Sequence, residues 1–165
     1  MKIALLLGTI GMLSACFGAL LEPCELQKVL FLAGAVMMFL AAVLEQQRFF
    51  IALQVILLSG TLIAFAPLEA WMKVAVPISV SAITVLALYR VGAFEDKLGR
   101  LGAVGMTVLA IGYAITHPAV YLVGGATLAL YAWNSYRAGV QLAILWAVLN
   151  AVFAVTAGVG LYRMI

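Results

Sequence analysis

Neutral polar side chains at helical spacing are the residues of this chain whose chemistry best suits ligand binding. Thr127, Tyr131 and Asn134 follow one another at i, i+4 and i+7, which places them on one face of a helix. Hydroxyl and amide groups of this kind can hydrogen-bond an uncharged molecule without placing a fixed charge in the site. The predicted substrate-binding residues are Gln54, Thr61, Thr84, Tyr113, Thr127, Tyr131, Asn134 and Asn150. The alternative role for each is hydrogen bonding between helices, which contributes about 0.6 kcal/mol per contact in a membrane.

Residues for catalysis or metal binding are sparse. The chain has six acidic residues and one histidine, and the acids fall in clusters between apolar runs. A hydrolase needs a nucleophile with a base, two carboxylates or a metal cluster in one pocket. His117 precedes Pro118, a pattern typical of a helix start rather than of a catalytic base. One histidine and two separated cysteines do not supply the ligands of a zinc site. We therefore predict no catalytic residue, no metal and no cofactor, and the sequence disfavours an enzyme.

The composition requires an apolar environment for these residues. Hydrophobic residues make up 67% of the chain and charged residues 9%, whereas a soluble domain has roughly 25% charged residues. Lipid is the solvent in which so much apolar surface is stable. In a membrane protein the formal charge of +3 reports topology and not binding of nucleic acid. These features predict an all-α integral membrane protein, with membrane lipid as its partner and no nucleic acid.

Seven apolar runs are separated by charged or turn-forming clusters, and each has about the length of a membrane-spanning helix. Helices are required because lipid cannot hydrogen-bond open backbone groups, and the runs lack the alternation of barrel strands. The predicted spans are residues 3–21, 26–44, 49–66, 74–94, 101–116, 119–136 and 140–162. The fifth is the shortest, so six spans with a re-entrant pair are the alternative.

The first run also has features of a lipoprotein signal, in which Cys16 would be lipidated after cleavage. The apolar stretch continues past Cys16 to Leu21, which favours a first membrane-spanning helix. Basic residues then give the orientation. The side with the N-terminus would hold Lys2, Arg48, Arg90, Lys97, Arg100 and Arg137, and the other side Lys28, Lys73 and Arg163. The positive-inside rule predicts a cytoplasmic N-terminus, in a bacterial inner membrane.

Short similarities recur along the chain at a separation of about 90 residues. Residues 8–11 (GTIG) resemble 99–102 (GRLG), residues 32–35 (LAGA) resemble 122–125 (LVGG), and Arg48 matches Arg137. They predict two parallel three-helix repeats, about 3–66 and 99–163, joined by a linker helix at about 74–94. The interface of such repeats often holds a substrate site near the middle of the membrane. Chance similarity between Leu/Ala/Gly-rich helices is the alternative.

This 3+1+3 arrangement resembles the small sugar and vitamin transporters of the SWEET and nicotinamide-riboside carrier type, which implies a carrier. A second resemblance is to the lysoplasmalogenase family of membrane enzymes. Residues 33–49 and 125–137 are similar in layout to its two core segments. That family carries an acid near the end of each segment, where this chain has residues around Ala42 and Ala132. Hydrolysis would then have to recruit Glu45, Asp96 or His117.

Three functions follow from these patterns. The leading hypothesis is a non-enzymatic protein that binds or passively transports a small neutral or amphipathic molecule. The absence of charged residues from the middle of the spans disfavours proton coupling. The alternatives are a lysoplasmalogenase-like hydrolase or a degenerate relative of one, and a structural or assembly subunit of a larger membrane complex. A homo-oligomer is compatible with each of them.

Overall fold

The computed structural model describes residues 2–46, 48–92, 97–139 and 143–164, and these ranges form seven α-helices and no strand. The helices are α1 (Lys2–Leu20), α2 (Glu25–Leu44), α3 (Arg48–Ile63), α4 (Ala70–Arg90), α5 (Lys97–Ile115), α6 (Pro118–Arg137) and α7 (Ala143–Met164). The prediction of an all-helical chain with seven helices is confirmed.

Several helix ends differ from the predicted span ends. The fourth helix begins at Ala70 instead of 74, and it ends at Arg90 because Gly92 adopts a left-handed backbone with φ of +67°. The fifth begins at Lys97 instead of 101. The predicted ends were placed where the apolar run ends, whereas the helix includes charged residues before that run, such as Arg100. The predicted ends at Phe94 and Val140 lie outside the described residues.

Four helices are long and apolar enough to cross a membrane, judged by length and composition: α1, α2, α4 and the segment Trp146–Met164 of α7. Residues 48–63 and 99–115, in α3 and α5, form shorter apolar helices. Large apolar side chains are exposed on the outside of the molecule, among them Ile3, Phe17, Ile83 and Val155. Such exposed surface is compatible with an integral membrane protein.

Six of the helices form a closed ring in the order α1, α2, α3, α5, α6 and α7, in which α7 packs again on α1. The fourth helix lies outside the ring and packs on α3 and α5. Its buried residues are Pro77, Ser81 and Leu88, and the Ser81 and Thr107 hydroxyls hydrogen-bond at 2.6 Å between α4 and α5.

Glycines bring neighbouring helices close together, and they do so in the same way in two hairpins. On α1 a Cβ at Gly18 would lie 2.8 Å from the ring of Phe31. On α5 a Cβ at Gly112 would lie 2.8 Å from the ring of Tyr121. The next contacts also correspond, since Gly11 faces Met38 and Gly105 faces Leu128, each at 3.0 Å. The α1–α2 and α5–α6 hairpins therefore pack in the same register.

The closest backbone approach is between α3 and α5. A Cβ at Gly60 would overlap the carbonyl group of Ala110 and would lie 2.6 Å from its carbonyl carbon. No side-chain rearrangement relieves a contact with backbone, so only glycine fits here. This contact fixes how closely the first three helices can approach the last three on this side of the ring.

Candidate functional site

A small cavity lies at the centre of the ring, and all six ring helices contribute to its wall. The space open to the centre of a water-sized molecule is about 40 Å³. Because one water needs about 10–15 Å³ by this measure, the cavity holds roughly three waters. The wall consists of Met12, Met38, Phe50, Leu53, Gln54, Leu57, Met106, Leu109, Tyr113, Leu128, Tyr131, Ala132, Ser135, Ala143, Trp146, Asn150 and Phe153.

Four of the eight predicted binding residues line this cavity: Gln54, Tyr113, Tyr131 and Asn150. They come from α3, α5, α6 and α7. Of the predicted face of α6 only Tyr131 thus meets predicted residues of three other helices at one place, although these residues are far apart in the sequence.

The two amides of the cavity differ in their hydrogen bonding. The Gln54 side chain is 6% exposed, and its Oε1 has no hydrogen-bond partner within the part of the chain that the structure describes. Asn150 donates from Nδ2 to the carbonyl oxygen of Trp146, one turn earlier on α7, at 2.8 Å. A buried polar atom without a partner costs about 1–3 kcal/mol, and a ligand donor could offset that cost.

Four aromatic rings close one end of the cavity, and we call this cluster the aromatic plug: Phe31, Tyr113, Tyr121 and Phe153. Phe31 stacks on Tyr113 with ring centroids 4.1 Å apart, and Tyr121 meets Phe31 edge-on at 5.1 Å. Tyr113 and Phe153 belong to both the plug and the cavity wall. The Tyr121 hydroxyl is buried and has no hydrogen-bond partner among the described residues.

A second aromatic group flanks the cavity on the side away from the plug. Phe50 and Trp146 face each other across the ring with centroids 6.4 Å apart and planes inclined by 28°. Phe49 lies 6.1 Å from Tyr131. The Phe50 and Trp146 rings are thus near-parallel but more widely separated than the stacked pair in the plug.

The other four predicted residues do not line the cavity. Thr61 is buried, and its hydroxyl donates to the Leu58 carbonyl oxygen of its own helix. Thr127 and Asn134 also donate to their own helix one turn earlier, each at 2.8 Å. Thr84 is half-buried on α4, outside the ring. The Thr61, Thr127 and Asn134 side chains thus donate to carbonyl groups of their own helices, and none of the four lines the cavity.

Sequence reasoning missed the apolar part of the wall. Met12, Met38 and Met106 line the cavity, yet a methionine in an apolar helix faces lipid, a neighbouring helix or a cavity equally well. One signal was present in the spacing. Phe50 precedes Gln54 by four residues, and Trp146 precedes Asn150 by four residues, so each helix carries an aromatic ring and an amide on one face.

The residues of the hydrolase hypothesis lie at helix ends. His117 is the N-terminal cap residue of α6, with Pro118 after it, and its side chain makes no capping hydrogen bond. Glu45 follows the last residue of α2. Asp96 lies outside the described residues. Within the described ranges, no group of three His, Cys, Asp or Glu residues is arranged to hold a metal ion.

Comparison of this chain with protein-family models, with curated proteins and with solved structures gives no match.

Proposed function

We propose that this protein is a passive carrier, or a binding protein, for a small neutral molecule, and that the central cavity is its site. The observation that carries the proposal is the buried, unpaired Gln54 carbonyl oxygen in a cavity walled by all six ring helices. Ligand sites are typically such apolar cavities with a few converging polar groups. Among the described residues of the wall there is no Asp, Glu, Lys, Arg or His, which supports an uncharged ligand.

The proposal places all seven helices across a bacterial inner membrane, with the N-terminus in the cytoplasm. The apolar side chains on the outside of the ring and on α4 would then contact lipid. The basic residues Arg90 and Arg137 end α4 and α6 on the side where α1 begins, in accord with a cytoplasmic location of that side.

The proposal also takes α1–α3 and α5–α7 to be two parallel copies of one three-helix unit. The matching glycine contacts of the two hairpins support this. In that correspondence Gly8 of the first unit is equivalent to Gly102 of the second, whereas the sequence similarity matched Gly8 with Gly99. In the ring the two units meet at two seams, between α3 and α5 and between α1 and α7. The cavity lies where both units contribute, as in repeat-built transporters.

Pairs of matching residues from the two units support the same arrangement in the cavity wall. Met12 follows Gly11 on α1, Met106 follows the corresponding Gly105 on α5, and both methionines line the cavity. Gln54 and Asn150 are the next pair, on α3 and α7. A small displacement of one unit against the other would widen the space between them.

In this proposal the aromatic plug is the closed gate between the cavity and the outer side of the membrane. Its rings come from α2, α5, α6 and α7, so relative movement of the two units would separate them. The unpaired hydroxyl of Tyr121 lies within the plug and would meet water when the plug opens. The structure then corresponds to a state closed toward that side.

Liposomes that contain the purified protein test this function. After a step in external glycerol or urea the liposomes first shrink as water leaves, and the rate at which they swell again, followed by light scattering, gives the rate of solute entry. We expect faster entry than in protein-free liposomes, and slower entry with Gln54→Leu or Asn150→Leu. The matched control is Asn134→Leu, since Asn134 lies outside the cavity wall, and it should keep the wild-type rate. Entry no faster than in protein-free liposomes would remove the carrier proposal.

A further inference from the structure

The two amides of the cavity, Gln54 and Asn150, lie in equivalent surroundings on α3 and α7. Phe50, Gln54 and Leu57 occur at i, i+4 and i+7 on α3, and all three line the cavity. On α7, Trp146, Asn150 and Phe153 have the same spacing and also line it. Each helix therefore presents an aromatic ring, an amide and an apolar side chain in the same order.

The hydrogen-bonding state of these amides defines what a ligand must offer. The Gln54 Oε1 acceptor is unpaired among the described residues, and its side chain is 94% buried, being 6% exposed. One N–H of the Asn150 amide donates to the Trp146 carbonyl oxygen, and its side-chain oxygen remains an acceptor. Because a primary amide carries N–H donors as well as an acceptor oxygen, the complementary group is one that has both an N–H donor and an acceptor oxygen, as a carboxamide or a urea does.

The shape and charge of the cavity wall restrict the class of ligand further. Phe50 and Trp146 both line the cavity, and their ring planes are inclined by only 28°, with centroids 6.4 Å apart, so this part of the wall is flat and aromatic. Aromatic faces favour stacking of a flat group over a bulky aliphatic one. A charged ligand would meet no counter-ion among the described residues of the wall, and burial of an unpaired charge in an apolar interior is costly.

We propose that the cavity binds small, uncharged, planar molecules with an N–H donor edge, of the aryl carboxamide and urea class, and that Gln54 accepts the donor hydrogen bond. This specificity rests on the proposed carrier function for its biological use, but the binding step is separable from it. The flat face of the ligand packs against the aromatic side chains of the wall, Phe50 and Trp146, with its N–H group directed at Gln54 Oε1. Entry of an aryl ring requires the cavity to widen beyond its present volume.

The test compares two probes of nearly the same shape on the purified, full-length protein. Benzamide has an N–H donor edge, and acetophenone replaces the amide nitrogen with a methyl group. Calorimetric titration in detergent should show at least about tenfold tighter binding of benzamide, because the unpaired acceptor is satisfied only by the amide. Titration into empty micelles corrects for partitioning. Equal affinity for both probes, or no binding of benzamide, would overturn the proposal.

Substitution then locates the acceptor. Gln54→Met keeps the length of the side chain and removes the oxygen, so we expect it to abolish the preference for benzamide over acetophenone. Asn134→Leu is the control and should keep the preference. A preference that survives Gln54→Met would refute Gln54 as the acceptor. The comparison of probes on the wild-type protein stands even if the variant does not fold.

The outcomes for function and for specificity are distinguishable. Selective benzamide binding without entry of glycerol or urea into liposomes would refute the carrier and leave the ligand class standing. Glycerol entry in a protein that binds neither benzamide nor urea would support a carrier and refute the ligand class.

Discussion

Replacement of Gly60 by alanine is the sharpest test of the helix arrangement. The added Cβ would overlap the Ala110 carbonyl group, at 2.6 Å from the carbonyl carbon and 2.7 Å from Cα. Carbon atoms in good contact lie about 3.5–4.0 Å apart, so α3 and α5 must separate by roughly 1 Å. Overpacking of a tight interface costs about 1–3 kcal/mol, and the backbone partner favours the upper part of that range.

Gly158→Ala is the matched control for this change. The nearest atom to a Cβ at Gly158 is Leu122 Cδ1 at 3.9 Å, which is an ordinary contact. Both substitutions gain about 1 kcal/mol from the higher helix propensity of alanine. The difference between the two variants therefore isolates the overpacking term, and we expect Gly60→Ala to be less stable than Gly158→Ala by about 1–3 kcal/mol.

Unfolding of both variants in the same detergent, followed by circular dichroism, measures this difference. We expect Gly60→Ala to unfold at lower temperature than the wild type, and Gly158→Ala to unfold at the same or a higher temperature. Equal stability of the two variants would refute the close approach of α3 to α5, and with it the closed ring.

Three further predictions concern other parts of the molecule. Cys24 is exposed and Cys16 is buried, so a membrane-impermeant maleimide added to intact cells should label the protein once, at Cys24, if the N-terminus is cytoplasmic. Gln27 is fully buried and donates to the carbonyl oxygens of Gly18 in α1 and of Leu21 just after it, at 3.1 and 2.9 Å, so Gln27→Leu should lower the free energy of unfolding by about 1–3 kcal/mol. Thr107→Val removes the hydrogen bond to Ser81 and should cost about 0.6 kcal/mol in the same measurement.

Each of these has its own control. Labelling should disappear in Cys24→Ser, and labelling only after the cells are opened would reverse the predicted orientation. Glu25→Ala breaks only the exposed ion pair with Lys28, at 2.6 Å, and should cost less than Gln27→Leu. A larger effect of Thr107→Val than of Gln27→Leu would contradict the small contribution expected for the Ser81–Thr107 hydrogen bond.

The sequence was sufficient to predict the number and type of the helices, because apolar runs of this length have few other stable forms in lipid. It did not predict the order of the helices around the ring, or the position of α4 outside it. Those features depend on which small residues meet, as Gly60 meets Ala110, and glycine is common in membrane helices whether or not it lies at an interface.

The predicted binding residues stay a prediction, but the structure shows where they lie. A buried polar group needs a hydrogen-bond partner, and of the three predicted amides Gln54 and Asn150 line the cavity whereas Asn134 does not. Asn150 and Asn134 nevertheless make the same bond, each to a carbonyl oxygen of its own helix one turn earlier. The hydrogen-bonding capacity of a side chain therefore does not show from sequence alone whether its helix face meets a cavity.

The position of α4 makes the two seams of the ring mechanically unequal. It packs on both α3 and α5 and so covers the α3–α5 seam from the outside. The Ser81 hydroxyl of α4 hydrogen-bonds Thr107 of α5. Within the seam, Gly60 of α3 packs closely on Ala110 of α5. At the other seam α1 meets α7, where Gly8 faces Trp146 and Gly160 faces Ala19, and no described helix covers it. Because α4 covers only the α3–α5 seam, that seam is held more firmly than the α1–α7 seam. In the proposed carrier, opening of the ring would therefore begin at the α1–α7 seam, with the α3–α5 seam as the hinge.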